Sequence, residues 1–144
     1  MTPKEFSQSL YDENDDAKHQ IIEWLEQRGF MAWVNEDQYG IDVQGLKMGK
    51  QYVFEVEVKH NWTGSGFPFD SVHFPLRKRK FAGEKGAWFV MLNAHRTQAL
   101  FVSGEVFLDS RVITKNTKYS FAEEFVEIPL SRCIFRDLIG ENAR

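Results

Sequence analysis

"QYVFEVEVKH", Gln51 to His60, alternates apolar residues with two glutamates and a lysine. Side chains of a β-strand alternate faces with period two. Tyr52, Phe54, Val56 and Val58 therefore share one side, and Glu55, Glu57 and Lys59 share the other. The apolar side belongs to a core. The charged side is either a solvated sheet face, the usual meaning of alternation, or a site, and the surrounding sequence has to decide between them.

Upstream, "FMAWV" and "IDVQGL" read as strands separated by the polar loop "NEDQYG". "KMGK" supplies the glycine of a tight connection, so "IDVQGL" and "QYVFEVEVKH" form a hairpin. With the turn centred between Met48 and Gly49, Asp42 falls opposite Glu55 and diagonal to Glu57, about 7–8 Å apart between Cβ atoms. A divalent ion bound by oxygen at about 2.0–2.6 Å fits between two such carboxylates. Lys59 lies one pleat farther along the same face. The triplet "DAK" at 16–18 has the same spacing but falls on a helix, where residues two apart point away from each other.

The rest of the chain reads as one continuous architecture. "TPKE" has the form of a capping box, with Thr2 as N-cap, Pro3 first in the helix and Glu5 reaching back, so a short helix opens the chain. A main helix then runs from about Asp15 to Arg28, with Ala17, Ile21, Trp24, Leu25 and Arg28 near one face, and Gly29 stops it. After the loop "NWTGSGFPFDS" comes "VHFPLRKRKFAG", a strand or loop entering a short helix. "AWFVMLN" and "ALFVSGEVFL" read as later strands, and "LSRCIFRDLIG" reads as a C-terminal helix.

"GID" at 40–42, a hairpin and then "EVK" at 57–59 resemble the signature of the PD-(D/E)xK nuclease superfamily, the restriction-endonuclease-like and Holliday-junction-resolvase-like proteins. The resemblance implies an α/β (α+β, mixed-sheet) fold: an αβββαβ core in which a central mixed sheet is flanked by helices. It covers about residues 15–107 of a single domain 1–144, leaving about 108–144 as a C-terminal extension. Ile41 stands where the motif's name has proline, a position that varies in this superfamily. Many members add a glutamate from the first helix; here Asp16, His19 and Glu23 project almost opposite the apolar stripe, where a solvated face explains them better.

The activity implied is Mg²⁺-dependent hydrolysis of DNA phosphodiesters, with Mn²⁺ as a substitute ion. Asp42, Glu57 and the Val58 carbonyl hold the metal, and Lys59 orients the attacking water and stabilises charge on the phosphate. Lys59 also reads as an exposed lysine paired with Glu57 or Glu55. Glu55 is either a further metal-associated carboxylate or the sign of a register shifted by a bulge, since opposite Asp42 the two would repel. Arg77, Lys78 and Lys80 of "RKRK" either grip the phosphate backbone or form a solvated face. Trp62 either stacks on a base or packs onto the domain.

Composition sets outer bounds. The chain has 144 residues, 42% hydrophobic and 15% aromatic, enough for one real core. Its net charge is −3, yet Lys47 to Arg96 holds nine Lys or Arg against four acids, so the middle is basic and the ends acidic. No apolar run approaches the roughly 20 residues of a membrane span, and the N-terminus lacks the form of a signal peptide, so the expected location is a cytoplasm. The lone Cys133 and the scattered His19, His60, His73 and His95 give no zinc spacing, so any metal is held by oxygen. The small single-domain form suits a viral or mobile-element endonuclease acting on DNA, as a homodimer where both strands are cut. The alternatives are an inactive nucleic-acid-binding protein of the same fold and an interaction or structural protein.

Overall fold

Nothing between Lys4 and Arg28 breaks a helix, for the segment holds neither proline nor glycine. In the computed structural model, which describes residues 3–37, 40–64, 66–117 and 121–139, this stretch forms one helix, α1 (Pro3–Glu26). The two helical pieces expected from the sequence are thus a single element, and Thr2 lies outside the described residues. Gly29, at φ +89°, ends the turn that follows.

Strands β1 (Met31–Val34), β2 (Val43–Lys47) and β3 (Lys50–Lys59) form an antiparallel meander. Met48 and Gly49 have φ of 51° and 77°, the two positive angles of a type I′ turn, whose twist matches that of the strands. That turn fixes the register. Lys47 faces Lys50 and Val43 faces Phe54, and continuing the same pairing sets Asp42 against Glu55.

Strand β4 (Ser71–Pro75) leads through a 3₁₀ turn, Leu76–Lys78, into the short helix α2 (Arg79–Ala82). Strand β5 (Ala87–Asn93) then runs parallel to β3, with Glu55 level with Phe89 and Glu57 level with Met91. Gly86 makes this close approach feasible: its φ is +74°, and a Cβ there would lie 2.3 Å from the Gln51 carbonyl oxygen. Strand β6 (Gln98–Ser103) is antiparallel to β5 and runs into helix α3 (Gly104–Leu108). "ALFVSGEVFL" is therefore half strand and half helix. The switch is at Ser103, whose hydroxyl accepts a hydrogen bond from the Val106 amide at 3.2 Å as an N-cap.

Strands β7 (Arg111–Lys115) and β8 (Glu123–Pro129) pair with β4 in a three-stranded antiparallel sheet of order β4-β8-β7. The expected C-terminal helix does not form. Leu130–Arg132 make one 3₁₀ turn, and Ile134–Asp137 form strand β9, which pairs antiparallel with β6. The free backbone edge of β6 offers a row of hydrogen bonds that local helical spacing cannot anticipate. The large sheet has the order β1-β2-β3-β5-β6-β9. Together with α1 it makes a mixed α/β fold in which a mixed central sheet is flanked by a few helices. Among the described residues no helix is long and apolar enough to cross a membrane.

Two apolar clusters flank the large sheet. Ala17, Ile21 and Leu25 of α1 pack on Val43, Phe54, Val56, Val90 and Leu92. On the other face Phe89, Met91 and Leu100 meet Val72 and Phe74 of β4, Phe107 of α3, and Val126 and Ile128 of β8. β5 is buried on both sides, which is why it reads as a continuous apolar run. β3 joins the first cluster through Phe54 and Val56 and turns Glu55 and Glu57 toward the second face.

Candidate active site

The hairpin and the parallel β3–β5 pair bring the acids together at the end of β2. Asp42 and Glu55 are locked reciprocally through the backbone. The Asp42 amide donates to Glu55 Oε2 at 3.0 Å, and the Val56 amide donates to Asp42 Oδ2 at 2.8 Å. These bonds fix both carboxylates without a bulge in the paired β2–β3 residues, so the shifted register considered for Glu55 is not adopted. Glu57 follows on the same face, and the three acids line a polar cleft of about 300 Å³.

Two lysines enter the cleft from other elements. Lys18 of α1 places Nζ 3.5 Å from Asp42 Oδ1. Lys78, from the 3₁₀ turn after β4, places Nζ 3.1 Å from Glu57 Oε2 and 3.7 Å from Glu55 Oε1. Burial alone would lower the Lys78 ammonium, but Glu57 and Glu55 outweigh it and raise its pKa. Glu55, only 6% exposed, is pushed up to about 8, first by burial and then by the charge of Asp42, with Lys78 opposing. Asp37 and Arg77 also line the cleft, so its carboxyl groups outnumber its cations four to three, and burial beside Asp42 favours the protonated form of Glu55.

The remaining expected residues fall in different places. Lys59 is on the Glu57 face but is not a wall of this cleft; it is half-buried, with Nζ 5.2 Å from the Phe69 ring centroid. Its pKa is lowered by burial, with Glu57 opposing and Lys115 adding to the effect. Val58 lies between Glu57 and Lys59, level with Leu92 of β5. Within "RKRK", Lys78 turns inward. Arg77 also lines the cleft but is exposed, 3.2 Å from Glu123, and Lys80 is exposed over the Phe81 ring. Trp62 takes the packing alternative and not base stacking: it is fully buried, its Nε1 donates to the Gly66 carbonyl at 3.0 Å, and it packs on Phe67 and Phe135. Asp16, His19 and Glu23 line a separate hollow with Leu138 and Ile139. From the helix it is Lys18 that reaches the acids.

The sequence reading missed Lys18, and it missed a polar cluster on the small sheet. His73 Nε2 lies 3.0 Å from Glu127 Oε2, Lys115 Nζ lies 2.8 Å from His73 Nδ1, and Arg111 pairs with Glu127. Burial lowers the His73 pKa, against the Glu127 hydrogen bond. The approach of Lys115 to Nδ1 favours the neutral ring with its proton on Nε2. Alternation in "RVITK" and "EEFVEIP" was the available signal for these strands.

Asp42, Glu55 and Glu57 offer oxygen donors only, the chemistry suited to a hard divalent cation such as Mg²⁺. Among the described residues no three acidic, imidazole or thiol side chains converge to a metal-binding group, and the oxygens of Asp42, Glu55 and Glu57 that face the cleft are met by ammonium groups. No protein-family model matches the chain, and no curated protein matches it in sequence.

Proposed function

We propose that the chain is a metal-dependent nuclease of the PD-(D/E)xK type, hydrolysing DNA phosphodiester bonds at the Asp42–Glu55–Glu57 cleft. The observation that carries this reading is the excess of carboxylate in that cleft: Asp42 and a buried Glu55 are held against each other by backbone hydrogen bonds, with Glu57 beside them. Stability alone gives no reason to hold a second carboxyl beside Asp42 at the cost of a raised pKa; binding a cation, which would draw on both, does. The element order α1-β1-β2-β3-α2-β5, with β4 inserted before α2, supports the same reading.

Asp42 and Glu57 would hold Mg²⁺ or Mn²⁺, with Glu55 as a further acid and the Val58 carbonyl as the backbone ligand. Bound there, the ion supplies a water that is nucleophilic at neutral pH and stabilises charge on the scissile phosphate. Lys59, on the Glu57 face of β3, would approach the phosphate from that side; its lowered pKa and half-buried position suit a group that orients water and stabilises charge more than one that merely solubilises the surface. Lys18 and Lys78 pair with these carboxylates and would be available to phosphate oxygens if a cation took over that pairing.

The reading is tested by incubating the protein with duplex, branched, flapped and single-stranded DNA in Mg²⁺ or Mn²⁺, beside Lys59→Ala and Asp42→Asn controls. Cleavage that needs the ion and both residues is the expected result, and no cleavage of any form overturns it. One observation favours a second reading, a catalytically inactive nucleic-acid-binding protein of the same fold: both lysines already neutralise the acids. Salt-sensitive DNA binding with no uptake of Mn²⁺ would select it.

A further inference from the structure

The opposite face of β3 carries a second cavity that shares no residue with the carboxylate cleft. It measures about 290 Å³ and lies between the last turn of α1, the turn end of the β2–β3 hairpin and strands β5, β6 and β9. Its walls are aromatic. Trp24 packs on Phe101 with ring centroids 5.0 Å apart, Phe30 meets Tyr52 edge-on at 5.3 Å, and Trp88 closes one side. Three cations, Arg28, Lys47 and Arg136, line the same space, and among the described residues no carboxylate does.

A gap at the edge of a core needs no ligand to explain it, but such gaps are dry and apolar. This one is lined by charge of a single sign, and two donors buried in its wall are unsatisfied. The Arg28 guanidinium carbon lies 3.7 Å from the Trp24 ring centroid, Nη1 donates to the Trp24 carbonyl at 2.9 Å, and Nη2 has no acceptor among the described residues. Trp24, 9% exposed, has no such acceptor for Nε1 either. A buried donor without an acceptor bears a desolvation cost that nothing offsets. The Arg28 pKa is lowered by burial and then by the charge of Arg136, so the two guanidinium groups that line the cavity repel each other. An anion bound near both would relieve that repulsion.

We propose that this cavity binds a nucleoside monophosphate, its base among the rings and its phosphate held by Arg28, Lys47 and Arg136. A phosphate presents three acceptor oxygens to three cations, and guanidinium groups match it in charge and shape. Flat rings on several sides suit a heteroaromatic base, which stacks on aromatic faces whatever its identity. The volume lies at the small end of ligand pockets, which fits one nucleotide and excludes a dinucleotide cofactor. The proposal does not depend on nuclease activity, because the two sites lie on opposite faces of β3.

Calorimetric titration of the full chain with adenosine monophosphate, adenosine and inorganic phosphate tests it. The expected result is one site for the monophosphate, at least tenfold tighter than either fragment. Arg28→Met should weaken it at least tenfold, and Lys47→Met with Arg136→Met together should do the same, while Asp42→Asn leaves it unchanged. Lys47 and Arg136 are at the rim, so their variants carry the test if Arg28→Met fails to fold. A 5′-phosphorylated oligonucleotide binding tighter than the monophosphate would identify a nucleic-acid end as the source of the ligand; equal binding would identify the free nucleotide. Absence of binding, phosphate binding as tightly as the nucleotide, or indifference to the Lys47 and Arg136 changes would overturn the proposal.

Discussion

Replacing Glu55 with glutamine should remove a pH dependence of stability that the buried carboxyl imposes on the wild type. In the folded protein its pKa is pushed from an ordinary 4.5 up to about 8. The unfolded chain therefore releases this proton first, and between those two values the native state holds more protons than the unfolded one. By linkage the stabilising contribution is complete below about pH 4.5, falls as pH rises, and is gone once pH has passed about 8. At about 1.4 kcal/mol per pH unit the interval sets a ceiling of about 5 kcal/mol, about 3 of it lost between pH 5 and pH 8. The glutamine side chain keeps an oxygen for the Asp42 amide, which in the wild type donates to Glu55 at 3.0 Å, and cannot ionise. Urea denaturation followed by tryptophan fluorescence at pH 5 and pH 8, without divalent ions, gives the stability of both proteins. Glu55→Gln should gain on the wild type by about 3 kcal/mol from the lower pH to the higher. A difference between the two proteins that is the same at both pH values would refute the reasoning, because Glu55 would then be ionised throughout.

Asp42→Ala and Glu57→Ala should each abolish calorimetric Mn²⁺ binding while retaining the fold, since each removes a donor oxygen from a cleft already crowded with negative charge; unchanged affinity in both would remove the site. Lys59→Ala should keep DNA affinity within a few-fold and lose about 100-fold in cleavage rate. If Lys59→Ala cleaves at the wild-type rate and Lys78→Ala does not, the role belongs to Lys78, 3.1 Å from Glu57. Gly86→Ala should cost about 3 kcal/mol, combining a positive φ with an overpacked contact, because its Cβ would lie 2.3 Å from the Gln51 oxygen. Gly49→Ala, at φ +77° with nothing within 4 Å, should cost only about 1 kcal/mol, and thermal unfolding of the two variants side by side measures the contrast.

Short-range physics was legible in the sequence. Alternation in Gln51–His60 and the Met48–Gly49 turn act over a few residues, and together they determined the hairpin, its register and the placing of Asp42 opposite Glu55. The apolar run at Ala87–Asn93 likewise marked a strand; that it is buried on both faces came from the structure.

Only the tertiary structure decided what lies over the acidic face of β3. Alternation marks Glu55 as facing away from Phe54; it cannot say that β4, α2 and the 3₁₀ turn between them return to that side, bury Glu55 and turn Lys78 onto Glu57, while Arg77 stays exposed at the cleft and Lys80 lies outside it. Lys18 reaches Asp42 because α1 crosses the sheet there. Ile134–Asp137 became a strand because the β6 edge was free to receive it. Each of these outcomes depends on a partner 20 or more residues away, and backbone pairing or burial between distant segments outweighs the local preferences that a linear pattern records.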